Sequence, residues 1–438
     1  MIRSPWKAEV DDGPPGPTSD VAIAYRAGDG RFDLLNDYGQ GCSVLRRKSQ
    51  GPDDPDPLGR GPPQPGVRPL ATTEPTEGYG MFTFPYGPIA GGFAEAGRFD
   101  VRTYGERVLE LVPVGGFKSR RIARSVVGRS VVDAALWVER TAGQFSAAHT
   151  TAFLQAAESA TGTPVGVGEL WVRALAQETQ RVYNHAHVLA RLAEAAAQNV
   201  GAAQAQAFAE EMLRLQGTVF GHRFLFGALL PGGPVRHLAA DDRRRITESL
   251  RRLQGEFERL WPSFLESRTF IDRLQSTATI SRAQAIALGV VGPTLRACGV
   301  DWDDRLRSPY PPYDDLFVSL PKESGGDALG RLLVRAEEVR SSFLLLEQLL
   351  DRWPSSPNDE RDPPPPVLPG RGIGRVEAPS GDLVYDVRVV DGKVDRLGVR
   401  SASDALWSAL STGMRDAVFT DFHFALESFG LAFAETDG

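Results

Sequence analysis

Apolar residues recur at helical spacing through the middle of the chain. In residues 169–192 they repeat every seven positions, which predicts one long helix. A polar stripe runs along the same helix and consists of Glu178, Arg181 and His185. Since a buried charge needs a partner, we interpret this stripe as a polar ladder inside a helical bundle.

Shorter apolar stripes predict further helices after this one. Their predicted bounds are about 198–216, 246–264, 281–287, 327–352 and 403–414. Alanines along one face of the helix at 198–216 permit close helix approach, and Ser281 is placed to cap the helix that follows it. These patterns are typical of an antiparallel bundle.

Two regions alternate between apolar and polar residues, as strands do. The predicted strands are residues 98–103, 107–113, 372–377, 382–390 and 393–399. Gly105 and the pair Asp391-Gly392 are the turn signals between neighbouring strands. The predicted fold class is therefore α+β, a central antiparallel helical bundle with a small antiparallel sheet made from both ends of the chain.

Proline and glycine divide the chain into an arm and one large domain. Residues 1–75 are rich in Pro, Gly and Asp, which predicts a partly disordered N-terminal arm. Residues 76–438 are predicted to form the domain, and a proline-rich connector at 357–369 interrupts it. Its predicted parts are an N-terminal hairpin region at 76–125, the helical bundle at 139–354 and a C-terminal sheet and tail at 370–438.

Composition narrows the class of protein. The 438 residues are 42% hydrophobic, which suffices for a sizeable core, and the net charge of −7 argues against a nucleic-acid partner. Apolar runs stay short of the roughly 20 residues that span a bilayer, and the N-terminus does not read as a signal peptide. Cys42 and Cys298 are too few for a disulfide framework, a zinc knuckle or an iron–sulfur cluster. We therefore expect a cytoplasmic chain that holds no cofactor of its own.

One stretch combines a polar pair, a tight turn and a helix start. The pair Glu139-Arg140 is followed by small residues around Gly143. Ser146 is then predicted to be the N-cap of a helix, because its hydroxyl can accept a bond from an N–H of the first turn. His149 lies one turn inside that helix and is expected to face back toward the turn.

This stretch resembles the first cysteine motif of NiFe-hydrogenase large subunits, E-R-I-C-G-I-C-S-x-x-H. Ala142 and Phe145 stand where the motif has its two cysteines. Five further blocks resemble the same superfamily, which also contains the hydrogenase-derived subunit of respiratory complex I. They are Gly87-Pro88 with Glu95 and Arg98-Phe99, Glu178-x-x-Arg181-x-x-x-His185, Gly292 to Gly299, Gly326-Asp327 with Arg335 to Glu338, and Gly372 to Gly381. The chain is most similar to the cysteine-less branch that is related to energy-converting hydrogenases.

The departures from the family pattern bear on chemistry. The second C-x-x-C of the hydrogenases is missing from the C-terminal tail as well. Since the NiFe centre needs four soft thiolate ligands, the sequence predicts no hydrogen activation and no metal site. In complex I the emptied cavity binds the quinone headgroup through a Tyr and a His. This chain has Ala142-Gly143 and Ala90 at the matching positions, so those two donors are absent.

The resemblance implies a cavity between Glu95, Ala142 and the tail, and it places candidate residues around it. Glu95 and His149 are the candidate proton relay, with an ordinary loop carboxylate and a structural histidine as the alternatives. The candidate cavity-lining residues are Ala142, Gly143, Phe145, Arg140, Arg296, Glu377, Asp421 and His423. Arg296 and Glu377 are expected at the rim, and Asp421 and His423 are expected where the second cysteine pair would stand. Arg140 either points into the cavity or pairs with Glu139.

The resemblance also implies a place in a larger assembly. It predicts the large subunit of a complex on the inner face of the cell membrane, beside a small subunit that carries a 4Fe-4S cluster and antiporter-like membrane subunits. One hypothesis couples electron transfer from that cluster to proton or ion movement, with a quinone among the candidate acceptors. The alternative is a non-catalytic scaffold of the same complex. Whether the chain is an enzyme stays open at this point, and a hydrogenase by itself is not expected.

Overall fold

The computed structural model describes residues 68–71, 78–231, 238–354 and 369–436, together with the backbone of three strands nearer the N-terminus. These strands are β1 (Ala22–Ile23), β2 (Phe32–Asp37) and β3 (Ser43–Arg47), and they form an antiparallel sheet in that order. Most of the predicted N-terminal arm and most of the predicted proline-rich connector lie outside the described residues.

Fourteen α-helices are described, and four of them are long. In chain order they are α1 (Ile122–Ser125), α2 (Val131–Val138), α3 (Ser146–Thr161), α4 (Val167–Ala195), α5 (Asn199–Phe220), α6 (Ala240–Leu265), α7 (Arg268–Leu274), α8 (Arg282–Ala287), α9 (Gly292–Ala297), α10 (Asp304–Arg307), α11 (Ala328–Asp351), α12 (Ala402–Gly413), α13 (Phe422–Phe429) and α14 (Phe433–Thr436). The predicted long helix is α4, and the predicted stripes belong to α5, α6, α8, α11 and α12. The capping prediction for Ser281 is confirmed, since its hydroxyl accepts the N–H of Gln284 at 3.2 Å.

Helix α4 is the centre of the bundle. It packs against α3, α5, α11 and α13, and most of its side chains are buried, including charged ones. The predicted polar ladder is confirmed, because Glu178, Arg181 and His185 are all buried and each has a polar partner. Its charges therefore face neighbouring helices and strands rather than water.

The sheets correct one prediction. Strands β4 (Arg68–Pro69), β5 (Phe82–Tyr86), β6 (Arg98–Thr103) and β7 (Val108–Gly115) form one antiparallel sheet in the order β4-β7-β6-β5. Strands β8 (Gly370–Ala378), β9 (Gly381–Val390) and β10 (Lys393–Arg400) form another. The expectation of a single sheet from both ends of the chain is wrong for the described strands, because each group of strands finds its partners locally. The turn prediction holds, since Asp391 and Gly392 both have positive φ.

Strand β8 approaches α3 unusually closely, and glycine makes this possible. A Cβ at Gly372 would collide with the carbonyl oxygen of Ala156, and one at Gly374 would collide with that of Ala152. The strand backbone therefore lies directly on the helix backbone. This contact fixes α3 against the β8–β9 sheet and sets where the first turn of α3 points.

Candidate functional site

The positions matched to the first two cysteines are buried against the C-terminal tail. Ala142 is 2% exposed and Phe145 is fully buried, and both pack with Ala432 and Ala434 in one apolar cluster. The expectation of an open cavity at these two positions is wrong. A phenyl ring and three methyl groups fill the space between the turn and the tail, and close packing of apolar surface favours that closure.

The helix start next to this cluster also differs from its prediction. A 3-10 turn at Gly143–Phe145 precedes α3, and Ser146 is the first residue of the helix rather than its N-cap. Its hydroxyl donates to the carbonyl oxygen of Phe224 at 2.5 Å and accepts from the side-chain amide of Gln180 at 3.1 Å. These tertiary hydrogen bonds replace the local capping bond, and they tie α3 to α4 and to the loop after α5.

His149 joins three elements through a buried hydrogen-bond chain. Its Nδ1 lies 2.8 Å from the hydroxyl of Tyr385 on β9, and its Nε2 lies 3.1 Å from a carboxylate oxygen of Glu435 in the tail. Since a carboxylate can only accept, the neutral ring carries its proton on Nε2 and accepts the Tyr385 O–H at Nδ1. Ser403 donates to the other Glu435 oxygen at 2.5 Å. Burial raises the pKa of Tyr385.

Glu95 reaches the same tail from the other side. It lies in the loop between β5 and β6, and its carboxylate accepts the N–H of Ala434 at 3.0 Å. Burial raises the pKa of Glu95, the Ala434 N–H and the charge of Arg120 lower it, and the nearby charge of Glu435 raises it again. Glu95, Glu435 and His149 therefore form one group of ionisable side chains around the tail.

His423 positions the loop that carries Glu95. Its Nε2 lies 3.0 Å from the hydroxyl of Tyr86, and its ring lies against Gly92, where a side chain would collide with it. Burial, together with the charge of Arg191, lowers the pKa of His423. Arg191 also donates to the carbonyl oxygen of Gly92. These contacts hold the loop to α4 and α13.

The expected place of Asp421 and His423 needs a correction. The part of the tail that meets Ala142 contains Ala432 and Ala434, whereas Asp421 forms an ion pair with Arg273 at 3.0 Å. The reason is that α13 lies between Asp421 and the end of the tail, so the chain reaches Ala142 only after it.

Arg140 pairs with its neighbour Glu139, which is one of the two alternatives that the sequence left open. It contacts the carboxylate of Glu139, and its guanidinium lies over the ring of Phe226 at 4.9 Å. Burial raises the pKa of Glu139, and the N–H of Gly227 and the charge of Arg140 lower it. Gly143 lies beneath the same loop, with the rings of Phe224 and Phe226 in van der Waals range of a Cβ built there.

Arg296 and Glu377 lie in the core rather than at a rim. Arg296 donates to Glu377 at 2.9 Å and to Glu338 at 2.5 Å, and it lies 3.4 Å from Asp303; all four side chains are buried, and we call them the buried ion cluster. Burial and the charge of Asp303 raise the pKa of Glu377 to about 7, against the lowering effect of Arg296. His185 lies 2.8 Å from Glu338, so the polar ladder of α4 continues into this cluster.

The described part of the chain contains no group of three or more His, Cys, Asp or Glu side chains that is placed to hold a metal ion. The Cys298 thiol is buried and donates to the carbonyl oxygens of Ile280 and Thr294, and burial raises its pKa to about 11. Such a thiol is a poor ligand and a poor nucleophile. None of the described helices is both long and apolar enough to cross a membrane.

Comparison with known proteins gives the family. The family model described as respiratory-chain NADH dehydrogenase, 49 Kd subunit, matches residues 203–369. The carbon monoxide-induced hydrogenase of Rhodospirillum rubrum is 28% identical over 349 residues, which cover 79% of this chain and 96% of that protein. The chain belongs to the superfamily of complex I and hydrogenase-related large subunits.

Other relatives of this chain are named both as hydrogenases and as NADH-quinone oxidoreductases. The membrane-bound hydrogenase subunit alpha of Pyrococcus furiosus is 26% identical over 70% of this chain and 76% of that protein. An NADH-quinone oxidoreductase subunit of Roseiflexus sp. is 27% identical over 78% of this chain and 94% of that protein. A chain of the membrane-bound sulfane sulfur reductase, an archaeal respiratory membrane complex, superposes with a TM-score of 0.76 at 25% identity and covers 82% of this chain and 98% of that one. The predicted superfamily and α+β fold are confirmed.

Sequence reasoning missed three residues of the candidate site. Tyr385, Ser403 and Glu435 complete the hydrogen bonds of His149, yet none of them belongs to a matched block. Glu435 did carry a signal, because it ends an otherwise apolar tail from Phe429 onward. A carboxylate in a tail that packs into a core must find a donor there. Tyr385 offers no comparable signal, since a strand tyrosine is ordinary.

Proposed function

We propose that this chain is the large subunit of a membrane-associated, complex-I-like oxidoreductase that works without a NiFe centre. In this proposal it couples electron transfer from a 4Fe-4S cluster on a small partner subunit to proton or ion movement through antiporter-like membrane subunits. The relatives support the membrane-complex subunit, since two are named as a membrane-bound hydrogenase subunit and an NADH-quinone oxidoreductase subunit, and the similar solved structure is an archaeal respiratory membrane complex.

The proposal of proton-coupled electron transfer without a NiFe centre rests on one observation. At the tail, the positions matched to two cysteines hold Ala142 and Phe145, which cannot ligate a metal, so the donor set does not fit a NiFe centre. At the same tail, the ionisable side chains of Glu95, His149 and Glu435 are grouped. The site therefore lacks soft ligands and contains groups that can carry protons.

These groups have distinct roles in the proposal. The raised pKa of Glu95 brings its carboxyl group nearer to neutral pH, where a proton carrier works best. His149 bridges Tyr385 and Glu435, so a proton gained at one ring nitrogen is matched by one released from the other. An acceptor such as a quinone would have to bind at another opening or after the tail moves, because Ala142 and Phe145 are closed off.

That closure also favours the second candidate function, a non-catalytic scaffold. Metal analysis of the complex purified with this chain from its native membranes separates the two. Iron and acid-labile sulfide at cluster stoichiometry without nickel support the oxidoreductase, and stoichiometric nickel in this chain contradicts it. A complex with membrane subunits but without iron or sulfide favours the scaffold.

Glu95→Gln tests the relay in the same complex. The amide keeps an oxygen for the Ala434 N–H but cannot take up and release a proton near neutral pH. We therefore expect intact assembly, unchanged iron content and a loss of proton movement of about 10²-fold or more in vesicles driven by a reduced viologen dye. Asp100→Asn, which removes a partly exposed carboxylate on β6, is the matched control and should retain the activity. Equal rates of proton movement with the wild-type, Glu95→Gln and Asp100→Asn chains would rule out Glu95 as a proton relay.

A further inference from the structure

Guanidinium groups and aromatic rings alternate along one surface of the molecule. Arg129 lies over the ring of Trp137 at 4.5 Å, and Arg140 lies over Phe226 at 4.9 Å. Arg140 follows Trp137 by one helical turn, and its N–H donates to the Trp137 carbonyl at 3.0 Å. Two distant parts of the chain, the segment around α2 and the loop after α5, thus share one row of stacked groups.

The row continues within the loop after α5. The rings of Phe226 and Phe224 are 6.2 Å apart, and Arg223 lies over Phe224 at 5.5 Å. We call Arg129, Trp137, Arg140, Phe226, Phe224 and Arg223 the arginine–aromatic stripe. It covers Gly143, because a Cβ built on that glycine would meet Phe224 at 3.8 Å and Phe226 at 3.9 Å.

The stripe is partly exposed and already ordered. Trp137 is 37% exposed, and Arg140 and Arg223 are each about half exposed. Arg140 also contacts Glu139, and Arg223 pairs with Glu210 at 2.5 Å. These contacts hold the long side chains in place before binding, which lowers the entropy lost when a partner docks. Trp and Arg are the residues that most often carry binding energy in protein interfaces.

The charge of the segment that carries most of the stripe indicates the kind of partner. Residues 118–140 contain six basic and two acidic side chains, a net charge of +4 in a chain whose total is −7. The remaining residues together therefore carry −11 (−7 − 4). A basic segment in an otherwise acidic chain favours acidic partners and disfavours basic ones. Five of the six basic residues are Arg, which protein interfaces favour, whereas they are poor in Lys.

We propose that the arginine–aromatic stripe docks an acidic face of a partner polypeptide. The partner's carboxylates would pair with the outer edges of Arg129, Arg140 and Arg223, and its apolar side chains would cover Trp137 and Phe226. This inference rests on the proposed function only in requiring that the chain is part of a complex. The docked partner would lie over Gly143, directly outside the turn that contacts the tail.

Photo-cross-linking in the native complex tests the proposal. Benzoylphenylalanine replaces Trp137 in the full chain, and in a matched control it replaces Val200, which is 74% exposed at the other end of α5. That end is about 33 Å from the loop after α5, at 1.5 Å per residue. After irradiation of membranes and purification of the complex, position 137 should cross-link to one partner polypeptide at a peptide of net negative charge, and position 200 should not.

Other outcomes have defined meanings. Cross-links from position 137 to lipid, to nucleic acid, to a second copy of this chain or to a basic peptide overturn the proposal, as does no cross-link from an intact complex. If no subunit co-purifies with the wild-type chain, the proposed function and this inference both fail. An intact complex without a cross-link at position 137 removes this inference alone.

A competition experiment measures the energetic role of the stripe. Wild-type and variant chains with different tags are co-expressed, and their ratio in the purified complex is measured. Trp137→Ala should weaken binding roughly thirtyfold, as loss of an interface hot spot does, and Arg129→Glu should also be depleted, because it reverses a charge on an exposed side chain. Val200→Ala should incorporate like wild type. Equal incorporation of Arg129→Glu and wild type contradicts the proposal even if Trp137→Ala lowers the yield of folded chain.

Discussion

Replacing Arg296 by Met should destabilise the protein more than any exposed ion-pair substitution. The side chain is fully buried and faces three carboxylates, those of Glu338, Glu377 and Asp303, at 2.5, 2.9 and 3.4 Å. Methionine fills much of the same volume but leaves these charges without their shared cation. Breaking a buried ion pair from one side costs about 3–5 kcal/mol, which is a large part of the roughly 5–15 kcal/mol by which domains are stable.

The assay is urea unfolding of the full chain followed by circular dichroism, with two comparison variants. Arg296→Lys keeps a charge but cannot bridge several carboxylates, so its loss should be smaller. Arg340→Met, on the same helix as Glu338, removes a partly exposed pair with Glu258 and should cost about 1 kcal/mol or less. If Arg296→Met lowered the free energy of unfolding no more than Arg340→Met, the reasoning about buried charge would be refuted.

The pH dependence of this loss has a definite sign. Glu377 already has a pKa of about 7 in the folded chain, above its ordinary value of 4.5, and losing Arg296 would raise it further. A raised carboxyl pKa means that the folded state binds more protons than the unfolded state between those two values. Stability therefore falls as pH rises through that window. The deficit of Arg296→Met should be larger at about pH 8 than at about pH 6, and the opposite trend would contradict the assignment.

Two further substitutions test the candidate site. Phe145→Ala should lower the free energy of unfolding in urea by about 3–5 kcal/mol, because it opens a large cavity beside Ala142. Phe145→Leu should lower it clearly less, and equal urea midpoints for the two variants would show that the ring does not close this space. Glu435→Gln should cost about 1–3 kcal/mol, because His149 and Ser403 contact different carboxylate oxygens and the amide keeps only one of these acceptors. Ser403→Ala also removes the acceptor of the Ala432 N–H, so the test is a double-mutant cycle, in which the losses of the two single variants should not add. Fully additive losses would mean that the two side chains do not share this hydrogen bond.

Local patterns in the sequence determined the helices and strands of this protein. Apolar spacing predicted the long buried helix α4 and the helices α5, α6 and α11, and alternation predicted the β6–β7 hairpin. Ser281 caps its helix, and Asp391-Gly392 forms its turn, because both depend on bonds or backbone angles within a few residues. The order of the short motifs also sufficed to predict the superfamily, which the comparisons with relatives at 28% and 26% identity confirm.

The tertiary structure alone decided which of those elements' side chains meet. His149 and Glu435 are separated by 286 positions, and their hydrogen bond exists only because β8 lies flat on α3 and the tail closes over Ala142. Ser146 likewise forms hydrogen bonds with distant residues instead of capping its own helix. Arg296 forms its ion pairs in the core rather than at the rim of a cavity. Periodicity states which face of an element is buried, but the partner of a buried charge is chosen by packing and by the cost of leaving any donor or acceptor without one.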